Sequence, residues 1–155
     1  MSVAKNKLDL QRLPGHLARR VHQLAVALFA QEIQEFRVTP IQYSTLQALN
    51  NKPGIDQKTL AATIGIDTST IVGVLDRLEA RGLVVRTVAP NDRRSRLIEP
   101  TEEGREMLAQ LLPRVVKSQD RLLATLSPAD AKHLMRIMQL LVDANEELST
   151  VPAKD

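Results

Sequence analysis

Apolar residues recur along this chain in three- and four-residue steps, interrupted by strong punctuation. Leu17, Val21, Leu24 and Leu28 keep the spacing that predicts a helix over about residues 13–36. Thr39-Pro40-Ile41-Gln42 then supplies an N-cap threonine, a proline at the first helical position and a glutamine at the third. The helix that follows should stop near Asn51, at Lys52-Pro53-Gly54. Asp56 can cap a short helix bearing Leu60 and Ile64 and closed by Gly65; Asp67 can cap another, closed by Gly82. On this second one Ile71, Val74, Leu75 and Leu78 share a face. Ser69, Gly73 and Asp76 share the opposite face, with Val72 and Arg77 at its edges. Two short helices joined by a tight glycine-containing turn predict a helix-turn-helix.

The period then changes. Leu83-Val84-Val85-Arg86-Thr87-Val88 is β-branched and extended in character, and Ala89-Pro90-Asn91-Asp92 is a turn signal. Arg96-Leu97-Ile98-Glu99 reads as a return strand ended by Pro100. A hairpin directly after the second helix of a helix-turn-helix makes a wing. Thr101-Glu102-Glu103 opens another helix, with acids where the helix dipole favours them, and Pro113 is expected to kink or split it. Ser127-Pro128-Ala129-Asp130 starts the last helix, where Leu134, Ile137, Met138, Leu141 and Leu148 keep helical spacing. Residues 1–7 are polar and expected to fray. The predicted order is four helices, a hairpin and two helices, with no internal repeat.

Composition narrows the function. At 155 residues, 43% hydrophobic and 25% charged, the chain is one ordinary globular domain. Its longest apolar run, residues 24–30, is far short of the roughly 20 residues of a membrane helix. There is no secretory signal pattern, so a cytoplasmic location is expected. The absence of cysteine removes disulfides, thiolate metal sites and a cysteine nucleophile. Phe29, Phe36 and Tyr43 are the only aromatics, which disfavours stacking of single-stranded bases. His16 and His22 are six residues apart and His133 is remote, so no chelating pair and no metal site are expected. Phosphate-binding glycine loops and nucleophile elbows are absent, so no cofactor and no enzyme activity are expected. The net charge of +3 decides little. Its distribution decides more: Arg93, Arg94 and Arg96 fall within four consecutive positions of the hairpin.

Asp67-Thr68-Ser69-Thr70-Ile71, Leu78-Glu79-Ala80-Arg81-Gly82-Leu83-Val84, Asn91-Asp92-Arg93-Arg94 and Thr101-Glu102-Glu103-Gly104 follow one another at a spacing that resembles the MarR family. Members of that family are dimeric winged helix-turn-helix transcriptional regulators. The resemblance covers nearly the whole chain and is most specific over residues 67–104. It implies a mainly α fold with a small β-hairpin wing. Residues 37–104 would be the winged helix-turn-helix DNA-binding part. Residues 8–36 and 105–148 would be flanking dimerisation helices, all in a single integrated domain. The chain departs from the family pattern at Ala89, where wings often carry an acid. It also departs at Val72-Gly73, where the recognition helix often carries threonine and arginine.

A helix of this size fits the major groove of B-DNA, its N-terminal residues nearest the bases and phosphates. Thr68, Ser69 and Thr70 would offer hydroxyls there, although serine and threonine after Asp67 also suit ordinary capping. Val72 can meet a thymine methyl, Gly73 can permit close approach, and Arg77 is placed for a phosphate. An arginine at a hairpin tip can enter the minor groove, with Arg93, Arg94 and Arg96 as the cations available. The resemblance points to Arg94, with Asp92 holding the loop in shape. Asp76, an acid on the exposed helix face, is expected to orient a wing arginine, Arg94. A two-fold dimer with recognition helices about 34 Å apart would prefer an inverted-repeat operator on double-stranded DNA.

His16, Arg20 and Gln23 run beside the apolar stripe of the first helix with Arg19 adjacent, and Gln42 and Tyr43 open the second. Cations bordering apolar surface suit a small aromatic carboxylate, although Arg19 and Arg20 also suit a solvated face. The resemblance implies ligands of that kind, and repression relieved when the ligand favours a dimer geometry that misfits DNA. The competing reading is a winged-helix protein–protein interaction module without ligand response, against which the arginine cluster speaks.

Overall fold

A computed structural model describes residues 9–149; the polar residues 1–7 and residue 8 lie outside the described residues. The helices α1 (Pro14–Ile33) and α2 (Pro40–Asn51), the two-residue strand β1 (Ile55–Asp56), and the helices α3 (Gln57–Ile64) and α4 (Thr68–Ala80) come first. The strands β2 (Val84–Ala89) and β3 (Asp92–Pro100) follow, then α5 (Glu102–Leu123), α6 (Pro128–Asp143) and α7 (Glu146–Ser149). The mainly α architecture with a β wing is thus present, and the hairpin is widened to three antiparallel strands in the order β1-β3-β2. Ile98, wholly buried, sits at the centre of this sheet, opposite Ile55 on one side and Arg86 on the other. A two-residue strand is too short to show an alternating pattern, which is why β1 escapes a reading from sequence.

Helix starts follow the sequence closely. Thr39 Oγ1 accepts from the Gln42 amide at 3.2 Å and Gln42 Oε1 accepts from the Thr39 amide at 3.0 Å, a reciprocal capping box. Gly65, at φ 70°, ends α3 in the left-handed region that glycine reaches without steric cost, and turns the chain into α4. The motif Thr101-Glu102-Glu103-Gly104 has a double role. Thr101 Oγ1 accepts from the Gly104 amide at 3.1 Å and donates to the Gly82 carbonyl at 2.6 Å. A Cβ on Gly104 would lie 2.2 Å from the Leu83 carbonyl oxygen, so only glycine allows α5 to start this close to the end of α4.

Two aliphatic clusters hold the molecule. The larger joins α2, α3, α4 and the sheet through Leu46, Leu49, Leu60, Ile71, Leu75, Leu78 and Ile98. The smaller joins α1 to α5 through Phe29, Ile33, Val38, Leu111 and Val115; Tyr43 and Met107 pack against both. The core of α2, α3, α4 and the sheet and the core between α1 and α5 therefore share a wall.

Three expectations need correction. Pro113 does not split α5, which runs unbroken from Glu102 to Leu123. Leu111 and Val115, on either side of it, are buried against α1, and their packing carries the helix through the lost hydrogen bond. The return strand starts at Asp92 rather than Arg96, because pairing with β2 continues past a bulge between Val88 and Ala89. The last helix breaks before Leu148: the Asn145 side chain donates to the Leu141 carbonyl at 2.8 Å and ends α6 there.

Candidate nucleic-acid interface

The first turn of α4 is built on Asp67. Its Oδ1 accepts from the Thr70 amide at 2.8 Å and from the Ser69 hydroxyl, and its Oδ2 accepts from the Thr70 hydroxyl at 2.6 Å. The Ser69 and Thr70 hydroxyls, followed by the Thr70 amide, hold this carboxyl far below the usual carboxylate range. The capping role of Ser69 and Thr70 is therefore real, and it fixes their chemistry: both hydroxyl protons point inward, leaving oxygen lone pairs to face outward. The Thr68 hydroxyl has no partner among the described residues. Beyond the first turn, Val72 is 37% exposed and Arg77 is exposed. A Cβ on Gly73 would meet nothing within 4 Å.

The wing carries the cations. Asp92 Oδ1 accepts from the Arg94 amide at 2.9 Å, which shapes the tip as expected. Arg93 and Arg94 are exposed, and their guanidinium groups have no partner among the described residues. Arg96 is turned back, with Nη1 donating to the Arg93 carbonyl at 3.2 Å.

Asp76 does orient an arginine of the wing, but it is Arg86 on β2 rather than Arg94. Arg86 Nη2 lies 2.6 Å from Asp76 Oδ1 and 2.6 Å from Glu79 Oε2, and its Nε donates to Glu79 at 3.2 Å. Glu79, then Asp76, raises the already high pKa of the guanidinium, and Arg86 holds the Glu79 carboxyl below its ordinary value. The cause is register. Arg86 stands opposite Ile98, so Arg94 lies four residues, about 13 Å, further out along β3. A sequence signal existed for Arg86: it lies two residues after buried Val84, hence on the same strand face, opposite acids at i and i+3 of α4.

The expected ligand residues are only partly brought together. His16 sits thirteen residues, about 20 Å of helix, before Phe29, whose ring meets Tyr43 with centroids 5.9 Å apart. Within one chain His16, Arg19, Arg20 and Gln23 thus lie toward one end of α1, and Gln42 and Tyr43 pack near the other. Arg19 Nη2 is 3.4 Å from His16 Nδ1. The other ring nitrogen, His16 Nε2, is buried with no hydrogen-bond partner among the described residues. Gln42 is buried and engaged in its capping box, while the Tyr43 hydroxyl donates to Gln47 at 3.4 Å, and burial pushes its pKa up.

A cleft of about 510 Å³, which the sequence did not announce, opens at the α1–α2 corner beside Ile33, Gln34, Arg37 and Val38. Among the described residues no group of three or more His, Asp or Glu side chains could hold a metal ion. No single described helix is long and apolar enough to cross a membrane.

The terminal helices leave much apolar surface uncovered. No residue of α6 is buried, and Met135, Ile137, Leu140, Leu141 and Val142 are between 45% and 61% exposed.

Comparison with known proteins places these features. The sequence profile of the MarR family matches residues 38–95. The HTH-type transcriptional repressor NicR of Pseudomonas putida is 30% identical over 138 residues, 89% of this chain and 87% of that protein. The repressor CouR of Rhodococcus jostii RHA1, solved bound to a 23-mer DNA duplex, superposes with a TM-score of 0.81 at 34% identity, covering 86% of this chain and 94% of that one. BpsR of Bordetella bronchiseptica, whose DNA binding is regulated by 6-hydroxynicotinic acid, superposes with a TM-score of 0.84 at 29% identity, covering 88% and 97%.

Proposed function

We propose that this chain, which belongs to the MarR family of transcriptional regulators, is a sequence-specific repressor that binds double-stranded DNA as a homodimer and is released by a small aromatic acid. One observation carries the DNA reading: α4, whose first turn is exposed, is braced through Asp76, Glu79 and Arg86 to a wing whose tip presents two unpaired guanidinium groups, Arg93 and Arg94. In this reading α4 enters the major groove. The Ser69 and Thr70 oxygens, their protons held by Asp67, act as acceptors toward exocyclic amino groups. Thr68 and Arg77 serve phosphates, Val72 a thymine methyl, and Gly73 admits the duplex closely. Arg94 enters the minor groove, with Arg93 and Arg96 reinforcing the local positive field. Asp92 shapes the tip and Asp76, through Arg86, fixes the wing against the helix.

Dimerisation is supported by the uncovered apolar face of α6, together with exposed Leu17, Val21 and Leu24 on α1. A two-fold pair then presents two α4 helices to an inverted repeat. The effector reading is supported by the unsatisfied His16 Nε2 beside Arg19 and Arg20, and by a relative, BpsR, whose DNA binding is regulated by 6-hydroxynicotinic acid. In a dimer the partner's helices would complete the site around His16, Arg19, Arg20 and Gln23, while Tyr43 and Gln42, about 20 Å along α1 from His16, would line the equivalent site of the other copy.

In vitro selection from random duplexes tests this reading. The expected product is an inverted repeat whose affinity falls steeply with salt. Adding 6-hydroxynicotinic acid or a panel of benzoic acids should weaken binding for at least one of them, and operator DNA should weaken that acid by the same factor. Recovery of no enriched duplex would refute the DNA reading and favour a protein–protein module. Acids that bind equally well with and without operator would refute the release mechanism alone.

A further inference from the structure

Arg81 occupies the C-cap of α4, thirteen residues and about 20 Å from the end that faces the groove. Its side chain is exposed, yet it is bonded back onto the chain. Nη1 donates to the Arg37 carbonyl at 2.8 Å and Nη2 to the Phe36 carbonyl at 3.0 Å. Among the described residues these are the only hydrogen bonds that join α4 to the connection between α1 and α2.

The corner they reach is unusual. Arg37 has φ 51°, the only positive φ at a non-glycine residue among those described. Arg81 therefore clamps the two carbonyls flanking a kink that a side-chain-bearing residue holds at a cost. The corner is also anchored from the other side. Glu35 lies 3.1 Å from Arg114 of α5; Glu32, buried, lies 2.7 Å from Arg121 and 3.0 Å from Lys117. A run of charged contacts thus leads from α5, through the end of α1, to the cap of α4.

From this geometry we infer that Arg81 is a positioning residue for DNA recognition: it sets the tilt of α4 by tying its C-terminal end to the α1–α5 scaffold, without touching DNA. A planar fork suits the task, because two parallel donors fix an orientation where a single ammonium fixes only a distance. A small angular error at the cap is carried to the other end of a rigid helix, so base contacts suffer while general phosphate attraction does not. The 510 Å³ cleft beside Ile33 and Arg37 opens on the same corner, so a displacement there reaches α4 through Arg81.

The inference rests on the DNA-binding reading above, and its test separates the two. Full-length wild type, Arg81→Ala and Arg81→Lys are titrated against the selected duplex and a scrambled duplex of equal length, at several salt concentrations. Arg81→Ala is expected to lose about tenfold on the selected duplex, the effect that one or two charge-assisted hydrogen bonds support. It should lose less than about twofold on the scrambled duplex, with an unchanged salt slope. Arg81→Lys should recover part of the loss.

Equal losses on both duplexes with a salt slope lower by about one would make Arg81 a phosphate contact and overturn the inference. Unchanged affinity for the selected duplex would overturn it as well. If Arg81→Ala does not fold, Arg81→Lys carries the same comparison, with full wild-type discrimination as the refuting result. A wild type that discriminates between no duplexes removes the DNA-binding reading, and this inference with it.

Discussion

Gly73 offers an unusually clean separation of folding from recognition. It lies inside α4, where glycine is about 0.5–1 kcal/mol worse than alanine for helix stability. An added methyl would meet nothing within 4 Å, and the residue does not adopt a positive φ, so nothing within this chain requires glycine there. Gly73→Ala should therefore stabilise the free protein by about that amount and raise its unfolding midpoint by roughly 1–4 °C at fixed protein concentration. If the duplex approaches α4 closely at this point, the same methyl collides with DNA and specific affinity drops by about tenfold, the cost of about one lost base contact. The two effects have opposite signs. Differential scanning calorimetry on the free protein and anisotropy titration with the selected duplex read them separately. An unchanged affinity alongside a raised midpoint would place Gly73 outside the DNA contact. A lowered midpoint would refute the claim that this face of α4 is open.

Other consequences can be checked with the same two measurements. Gly104→Ala drives a Cβ to 2.2 Å from the Leu83 carbonyl oxygen, so it should cost about 1–3 kcal/mol and lower the midpoint by several degrees; a neutral result would contradict the close approach of α5 to α4. Arg94→Ala should weaken the selected duplex markedly and reduce the salt slope by about one, and a loss below about twofold at moderate salt counts against its minor-groove role. Glu32, with its hydrogen bonds from Lys117 and Arg121, and Glu79, with that from Arg86, have carboxyl pKa values depressed in the folded chain from an ordinary 4.5. Their contribution to stability is complete above that value and is lost as pH falls through the folded ones. The midpoint should then be level from pH 8 to about 6 and decline in acid, and Glu32→Gln should be less stable near neutrality and show a shallower acid decline. A wild-type midpoint that rises on acidification would refute this assignment.

What the sequence could announce and what it could not divide along the range of the interaction. Helix starts at Thr39, Asp56, Asp67, Thr101 and Ser127 depend on residues three apart, and each caps as read. The break of α6 is a local exception, set by the Asn145 side chain on the Leu141 carbonyl four residues earlier; the other failures come where a partner on another element decides. The survival of α5 across Pro113 depends on Phe29 and Ile33 of α1, some eighty positions away. The choice of Arg86 over Arg94 as partner of Asp76 depends on strand register, which no local pattern states. Arg81 reads locally as an ordinary cation near a helix end, and only the fold brings it to the carbonyls of Phe36 and Arg37. The ligand residues are the least legible part, because His16 and Tyr43 lie near opposite ends of α1 and share no pocket wall within one chain.

Charge counting misleads in the same way. Residues 53–100 hold seven basic and six acidic side chains, nearly neutral. Yet five of the six acids are occupied within the module. Asp56 and Asp67 bind the first turns of α3 and α4, Asp76 and Glu79 share Arg86, and Asp92 binds the backbone of the wing. Lys58, Arg77, Arg93 and Arg94 have no such partner among the described residues. An acid whose lone pairs are taken up by nearby donors projects a weaker field than an unpaired cation a few ångströms beyond it. The surface around α4 and the wing tip is consequently more positive than its composition, and this follows from geometry that also builds the fold: the acids that start the helices and brace the wing are those whose repulsion a duplex would otherwise meet.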